Sequence, residues 1–225
     1  MKWHLKNKRG LLLAGTLWVA MLAHAQWRVG VMAGADYNSY SVDKHYMLDY
    51  KNRGEWGVTF GVTGQYDFNS WLGVRTELNF TQKNHRFKRE TIRSINYWTM
   101  NNYLQVPVMA SFSFGGERLR GFCNAGVYGG YWLSSSRRGT DYNVLFGQTY
   151  KISESIDFNS ERDQRWDAGF VGGMGVEYRF ANRWAAQLEL RYYYSTVSTQ
   201  KKMPHTVDSR YNSTLAIQAG VNYCF

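Results

Sequence analysis

The sequence offers two carboxylates that could act together as an acid–base couple. Glu177 and Glu189 lie on neighbouring segments in which polar and apolar residues alternate, and paired carboxylates can donate and accept a proton in one site. Arg179 and Arg191 share the same faces of these segments. Because buried charges must be paired or hydrated, we interpret the set as a structural network of ion pairs rather than a catalytic site.

The histidines and cysteines give neither a metal site nor a nucleophilic site. His45, His85 and His205 lie in three different polar segments, without a second ligand at helix or hairpin spacing. Cys123 and Cys224 fall on opposite strand faces, so we predict no disulfide. Serine, histidine and aspartate lack a nucleophile-elbow context, and the glycine pairs lie inside strands rather than before a helix. The sequence therefore predicts no catalytic residue, no cofactor and no metal.

The N-terminus predicts export. A basic stretch from Lys2 to Arg9 precedes an apolar run from Leu11 to Ala23, and Ala23-His24-Ala25 follows the small-x-small pattern of a cleavage site. This order is typical of a secretory signal peptide, so we predict a signal peptide at 1–25 and one domain at 26–225. Cleavage removes four of the 27 Lys and Arg residues and none of the 17 Asp and Glu, which lowers the formal charge from +10 to +6. No nucleic-acid partner is expected from that balance.

Composition favours an all-β protein. Aromatic residues make up 17% of the 225 residues, 22 are glycine, only 2 are proline, and the mean hydropathy is −0.49. That hydropathy excludes a helical multi-pass membrane protein, which needs several apolar runs of about 20 residues. The aromatic content excludes a disordered chain.

Alternation with a period of two defines eight predicted strands. It is strong over 55–68, 165–180, 184–194 and 214–225, and weaker over 27–36, 71–83, 97–114 and 119–133. Short connections fall near 67–70, 115–117 and 181–183, and long polar ones near 37–54, 84–96, 134–164 and 196–212. This organisation predicts a transmembrane up-and-down antiparallel β-barrel with short periplasmic turns and long extracellular loops.

Aromatic residues collect at both ends of the predicted strands. Near the short turns are Trp27, Tyr66, Phe68, Trp71, Phe112, Phe114, Tyr178, Phe180, Trp184, Tyr223 and Phe225. Near the long loops are Trp56, Phe80, Tyr97, Trp98, Tyr131, Trp132, Trp166, Tyr192 and Tyr194. Two girdles flanking an apolar band indicate a lipid-facing exterior. In a soluble barrel the apolar face would point inward instead.

The opposite strand faces line a lumen that eight strands leave just wide enough for side chains to fill. Its predicted charges are Arg28, Asp36, Arg75, Glu77, Arg120, Asp167, Glu177, Arg179, Glu189 and Arg191. Because both signs are present, we predict a plug of paired charges, with a narrow pore as the alternative. Pro107 is expected to face the lumen beside Gln105 and Met109. A lumen group or a bulge would compensate for its missing ladder bond.

A basic cluster falls in the predicted long loops. It comprises Lys83, His85, Arg86, Lys88, Arg89 and Arg93, with Lys44, Lys51, Arg53, Lys201 and Lys202 in neighbouring loops. One interpretation is binding to acidic surface glycans or to a partner protein. The other, which we favour on sequence, is a charged rim that contacts the lipid phosphates of the outer leaflet.

Four segments resemble a known family, and one of them is the third predicted strand at 74–83. NYLQVPVMASFSF at 102–114 looks like the Tyr-Leu-x-Ile-Pro strand of PorT-type outer-membrane β-barrel proteins. WDAGFVGGMGVEY at 166–178 is similar to that family's Gly-rich sixth strand, and 188–194 to its Arg-Tyr strand. The resemblance implies an integral protein of the Gram-negative cell envelope, and the family's namesake is implicated in secretion of exported proteases. It carries no catalytic motif.

These observations predict a non-enzymatic outer-membrane protein with a structural, surface-interaction or secretion-accessory role. The alternatives are a narrow pore and a lipid-modifying enzyme. Expected partners are outer-membrane lipids and lipopolysaccharide, surface or secretion-system proteins, and the barrel-assembly machinery, which would recognise the C-terminal strand ending in Phe225.

Overall fold

The computed structural model describes residues 26–42, 50–89, 95–143, 145–201 and 210–225. The predicted signal peptide lies outside the described residues. The described residues form ten strands: β1 (Gln26–Val42), β2 (Tyr50–Asp67), β3 (Leu72–Gln82), β4 (His85–Arg89), β5 (Asn96–Gly115), β6 (Leu119–Asn143), β7 (Gln148–Ser155), β8 (Trp166–Ala181), β9 (Trp184–Ser195) and β10 (Arg210–Cys224). Among the described residues, no helix is long and apolar enough to cross a membrane.

Eight of these strands close into an antiparallel ring, which confirms the predicted barrel. The order around the ring is β1, β2, β3, β5, β6, β8, β9 and β10, and β10 pairs back onto β1. The closing ladder runs from Arg28 opposite Cys224 to Val42 opposite Arg210. Closure gives each ring strand a partner on both sides, as a bilayer requires of membrane-spanning strands.

Strand structure continues into the segments predicted as long loops. β4 follows β3 after Lys83 and Asn84 and pairs with both β2 and β5, while β7 forms a hairpin with the outer part of β6. The loop prediction is therefore wrong for residues 37–42, 50–54, 85–89, 134–143, 148–155 and 210–212. Strands that rise above the membrane do not need an apolar outer face, so they lack the alternation by which the other strands are recognised.

The short connections lie where the sequence predicts them, at 68–71, 116–118 and 182–183. In the first, the Asn69 side-chain oxygen accepts hydrogen bonds from the backbone N–H groups of Trp71 and Leu72 at 3.1 and 2.8 Å. In the second, Gly115 has a φ of 114°, a conformation that favours glycine. All three turns lie at the barrel end where β1 begins and β10 ends, so the long connections share the opposite end.

The barrel is apolar outside and polar inside. Val31, Val62 and Leu188 point outward and are 61%, 52% and 52% exposed, whereas Glu189 and Arg191 on the inner face are almost completely buried. An apolar exterior with charges inside is the arrangement of a barrel that sits in lipid.

The aromatic girdles are present at both ends, with two corrections. At the short-turn end the rings pack in series, as in Trp184–Tyr223–Phe225. At the long-loop end Tyr131 packs on Trp166. Tyr97 and Trp132 are wrongly predicted as girdle residues, since both line a cavity inside the barrel mouth. Successive strand residues point to opposite faces, and Trp98 and Tyr131 occupy the adjacent outward positions.

Pro107 is buried on the lumen side, as predicted. The β3–β5 ladder pairs Thr76 with Val108 and Asn79 with Gln105, so its register is the same on both sides of the proline. The Thr76 hydroxyl donates a hydrogen bond to the Pro107 carbonyl at 3.2 Å. The ladder is thus interrupted at the proline and not shifted there by a bulge.

Candidate functional site

A neutral four-residue ion-pair layer fills the middle of the lumen. Arg191 contacts Glu77 and Glu189, each at 2.6 Å. Arg75 contacts Glu77 at 2.6 Å and lies 3.8 Å from Glu189. All four side chains are buried. Two arginines and two glutamates from β3 and β9 therefore balance one another across the barrel, which confirms that the lumen holds paired charges.

A second layer lies toward the short-turn end. Arg28 contacts Asp67 at 2.6 Å and Glu177 at 2.8 Å. Asp67 is absent from the predicted lumen charges, although the alternation over 55–68 includes it and it continues the inward parity of β2. Arg120 and Arg179 are only partly buried and lie nearer the short-turn rim. Arg120 nevertheless lines the same small lumen cavity as Arg28 and Glu177, as predicted.

A third layer separates the lumen from the long-loop end. The Lys83 ammonium contacts Asp167 at 2.5 Å, and the Ser195 hydroxyl donates to the other oxygen of Asp167 at 2.6 Å. The same ammonium lies 5.0 and 5.1 Å from the ring centres of Tyr103 and Tyr128, within cation–π range. The prediction that Lys83 belongs to a solvated loop cluster is wrong, because its side chain is fully buried in this layer.

Glu177 and Glu189 do not form an acid–base couple, in agreement with the interpretation of these charges as a structural network. Glu177 lies in the layer around Arg28 and Glu189 in the layer around Arg191, and each contacts a guanidinium group. In the part of the chain that the structure describes, no group of three or more His, Cys, Asp or Glu side chains could hold a metal ion. His45 and His205 lie outside the described residues. Cys123 and Cys224 are free thiols.

Above the third layer, the barrel mouth contains a cavity of about 240 Å³, which we call the vestibule. Its floor and walls include Tyr103 stacked on Trp132 at 5.7 Å and Phe87 stacked on Tyr97 at 4.7 Å, measured between ring centres. It is lined by Asn52, His85, Phe87, Tyr97, Thr99, Asn101, Tyr103, Trp132, Ser135, Arg137, Ile156, Arg162, Asp163, Thr199, Gln200 and Arg210.

A bulge in the β5–β6 ladder determines which arginine enters the vestibule. Tyr103 pairs with Trp132, but Asn102 pairs with Ser134, so Leu133 is an extra residue on β6. The extra residue reverses the parity beyond it. Arg137 therefore lines the vestibule, while Arg138 is exposed on the outer face.

The vestibule is electropositive. Among the described residues, three arginines and one aspartate line it, and the aspartate, Asp163, is paired with Arg162 at 2.8 Å. His85 lies beyond Trp56 and the outer girdle. Burial and the nearby Arg210 and Arg137 guanidinium groups lower its pKa to about 4. His85 is therefore neutral at pH 7, and the positive field comes from the arginines.

Fold and lumen together define an integral outer-membrane β-barrel filled by its own charged side chains. Residues 20–196 match the family model described as the outer membrane protein beta-barrel domain. The chain belongs to this family, and its location is the outer membrane. The narrower PorT-type membership stays a prediction. No curated protein matches the sequence.

Solved structures of other outer-membrane barrels are similar in fold. OprG from Pseudomonas aeruginosa is 12% identical, with 90% of this chain and 96% of that chain covered and a TM-score of 0.54. Neisserial surface protein A is 15% identical, with 87% and 96% covered and a TM-score of 0.46. Outer membrane protein W of E. coli is 15% identical, with 88% and 97% covered and a TM-score of 0.44. At such identities the likeness to OprG supports the fold alone.

Proposed function

We propose that this protein is a non-enzymatic surface-binding protein whose sealed barrel anchors a binding face for acidic glycans at the extracellular end. The main support for the proposal is the difference between the filled lumen and the vestibule above it. The lumen is filled by three layers of paired charges, while the vestibule above them is open and lined by Arg137, Arg162 and Arg210. A binding face with a closed floor suits capture of a ligand at the surface rather than its passage.

The pore alternative is disfavoured by how little space the layers leave. A cavity lined by Arg28 and Glu177 of the second layer and by Arg75 of the middle layer, among others, measures about 10 Å³. That volume holds about one water molecule. Side chains of both signs cross the barrel at three levels, so a hydrated ion would have to break several buried contacts.

The lipid-modifying enzyme alternative would need a nucleophile beside a base at one rim. In the described residues at the vestibule, the Ser135 hydroxyl donates to Asn101 at 2.8 Å, and His85 lies 3.3 Å from the same asparagine. Asp163 is held by Arg162. These contacts give each candidate group a structural partner and support the non-enzymatic proposal.

A secretion-accessory role, implied by the PorT resemblance, is the second expectation. The short turns at 68–71, 116–118 and 182–183 offer little surface on the periplasmic side, so the extracellular end is the better candidate for partner binding. Outward-facing basic residues there, such as Lys88 and Arg138, are exposed. We propose that they contact phosphates of lipopolysaccharide in the outer leaflet.

The test is retention of the purified, folded protein in nanodiscs on beads coated with polygalacturonate, compared with beads coated with neutral dextran. We expect several-fold greater retention on the acidic polymer and its loss at high salt, because exposed charge interactions are screened. Equal retention on both polymers would contradict the proposal. Empty nanodiscs provide the background.

A further inference from the structure

The neutral lining of the vestibule suits a ligand rich in hydroxyl groups. Amide and hydroxyl side chains from four parts of the chain surround the cavity, namely Asn52, Thr99, Asn101, Ser135, Thr199 and Gln200. Such groups both donate and accept hydrogen bonds. Aromatic side chains share the walls and supply apolar contact area with little loss of side-chain freedom. This mixture fits a sugar ring, which presents hydroxyl groups at its edge and C–H groups on its faces.

The charges of the vestibule add a preference for an anion. Arg162 is neutralised by Asp163. Arg137 lies 3.6 Å from the half-exposed Glu154 and 4.5 Å from the centre of the Tyr97 ring, an arrangement that holds the guanidinium at the wall. Within the described ranges, Arg210 has no carboxylate partner, and its Nε atom is buried without a hydrogen-bond acceptor. Arg210 and Arg137 therefore provide positive charge that nearby side chains only partly balance.

The volume of the vestibule and its closed floor limit the size of the ligand. Pockets for drug-sized ligands measure about 300–1,000 Å³, and the vestibule, at about 240 Å³, is smaller. Its floor, at Tyr103, rests on the buried Lys83–Asp167 pair. A ligand must enter and leave through the extracellular mouth, and a single ring fits where a chain of several sugars does not.

We propose that the vestibule binds one six-membered sugar ring that carries a carboxylate, with the carboxylate at Arg210 and Arg137. The ring is either a free sugar acid or the terminal residue of an acidic glycan. This inference rests on the proposed surface-binding function and assigns that function a specific pocket.

The experiment is a calorimetric titration at low salt of the full-length protein, purified and folded in nanodiscs, with glucuronate, glucose and benzoate. We expect glucuronate to bind at least about tenfold more tightly than either of the others, because a charge-assisted hydrogen bond contributes roughly one decade or more in affinity. A methyl glycoside of glucuronate distinguishes the two sources. If the methyl glycoside binds as well as glucuronate, the ligand is the terminal residue of a glycan. If the methyl glycoside does not bind, the ligand is the free sugar acid.

Matched variants locate the site. Arg210→Gln and, independently, Arg137→Gln should each weaken glucuronate binding by about tenfold. Arg138→Gln, one residue away but on the outer face, should change it by less than about twofold. The shift in SDS migration on boiling reports whether each variant is folded, and the second variant keeps the test decisive if the first does not assemble.

Three outcomes would overturn this inference: no glucuronate binding by the folded protein, equal binding of glucose or benzoate, or an equal effect of Arg138→Gln. Retention on polygalacturonate without binding of monomeric glucuronate would overturn the pocket assignment alone. Absence of both retention on polygalacturonate and binding of glucuronate would overturn the proposed function as well.

Discussion

At the scale of single residues, most buried charges of the lumen are paired, and several of the pairs join strands on different sides of the barrel. The sequence predicts most of these charges by parity, because every second residue of a strand faces inward. It does not predict the pairing, since Arg191 and Glu77 are far apart in sequence and meet only through closure of the ring. Lys83 shows how the prediction failed. It continues the inward parity of Arg75 and Glu77, but its basic neighbours suggest a solvated loop.

Replacement of Glu189 tests the network. Glu189→Ala leaves the buried Arg191 and Arg75 with Glu77 as the remaining carboxylate of their layer, and removing one partner of a buried pair costs about 3 kcal/mol. We expect the free energy of unfolding to fall by about that amount, measured by urea titration in detergent. Glu117→Ala, on an exposed turn, should change it by less than about 0.5 kcal/mol.

A second buried carboxylate, on β1, provides a comparison for the predicted loss of stability in Glu189→Ala. Asp36 is fully buried, and neither of its carboxylate oxygens accepts a hydrogen bond from the described residues. Asp36→Asn should therefore leave stability unchanged or raise it. A large loss at Asp36 together with no loss at Glu189 would refute the network as described.

At the scale of strands, alternation and turn residues predict the membrane-spanning parts well and the outer parts poorly. The strong alternation over 184–194 matches β9 within one residue, whereas β6 extends ten residues past the predicted end at 133. The bulge opposite Tyr103 has no clear sequence signal, because Leu133 would fit either face. That bulge places Arg137 rather than Arg138 in the vestibule, so this part of the candidate site could not be predicted.

Substitution of two glycines on β6 tests which positions of this strand face the lumen and which face lipid. A Cβ atom at Gly126, on the lumen side, would lie 2.1 Å from the Val108 carbonyl oxygen, whereas one at Gly129, on the lipid side, meets nothing within 4 Å. Gly126→Ala should lower the fraction of protein that resists SDS before boiling, because backbone must move to admit the methyl group. Gly129→Ala should leave that fraction unchanged, and equal behaviour of the two variants would contradict the inward and outward assignments.

The C-terminal strand carries a prediction about assembly. Leu215, Ile217 and Val221 form an exposed apolar stripe that ends at Phe225, whose backbone N–H donates to the Trp27 carbonyl at 3.0 Å. We expect deletion of Phe225, or Phe225→Asp, to reduce the amount of folded barrel in outer membranes sharply, since the assembly machinery is expected to recognise this strand. Phe114→Asp, an aromatic of the same girdle on β5, is the control and should reduce it less. Normal assembly of both Phe225 variants would argue against recognition of this end.

At the scale of the whole molecule, the barrel combines a lipid-facing exterior, a lumen filled by paired charges and a vestibule at the long-loop end. Ring closure pairs each barrel strand on both sides, which is typical of proteins that resist SDS until boiled. The sequence predicts this architecture for two reasons. A membrane barrel turns its apolar face outward to lipid, whereas a soluble barrel turns it inward, and a membrane barrel carries aromatic residues at both membrane–water interfaces. The vestibule is formed by strand segments above the membrane, which need neither a lipid-facing apolar side nor aromatic residues at an interface.

Single-channel recording in planar bilayers can show whether the lumen is closed to ions. The protein should first be shown to shift in SDS migration on boiling, and a general porin in the same bilayers provides the positive control. We predict no steady single-channel current from the folded wild-type protein, because paired side chains of both signs cross the lumen at three levels. Steady, large currents from the same preparation would contradict the sealed lumen.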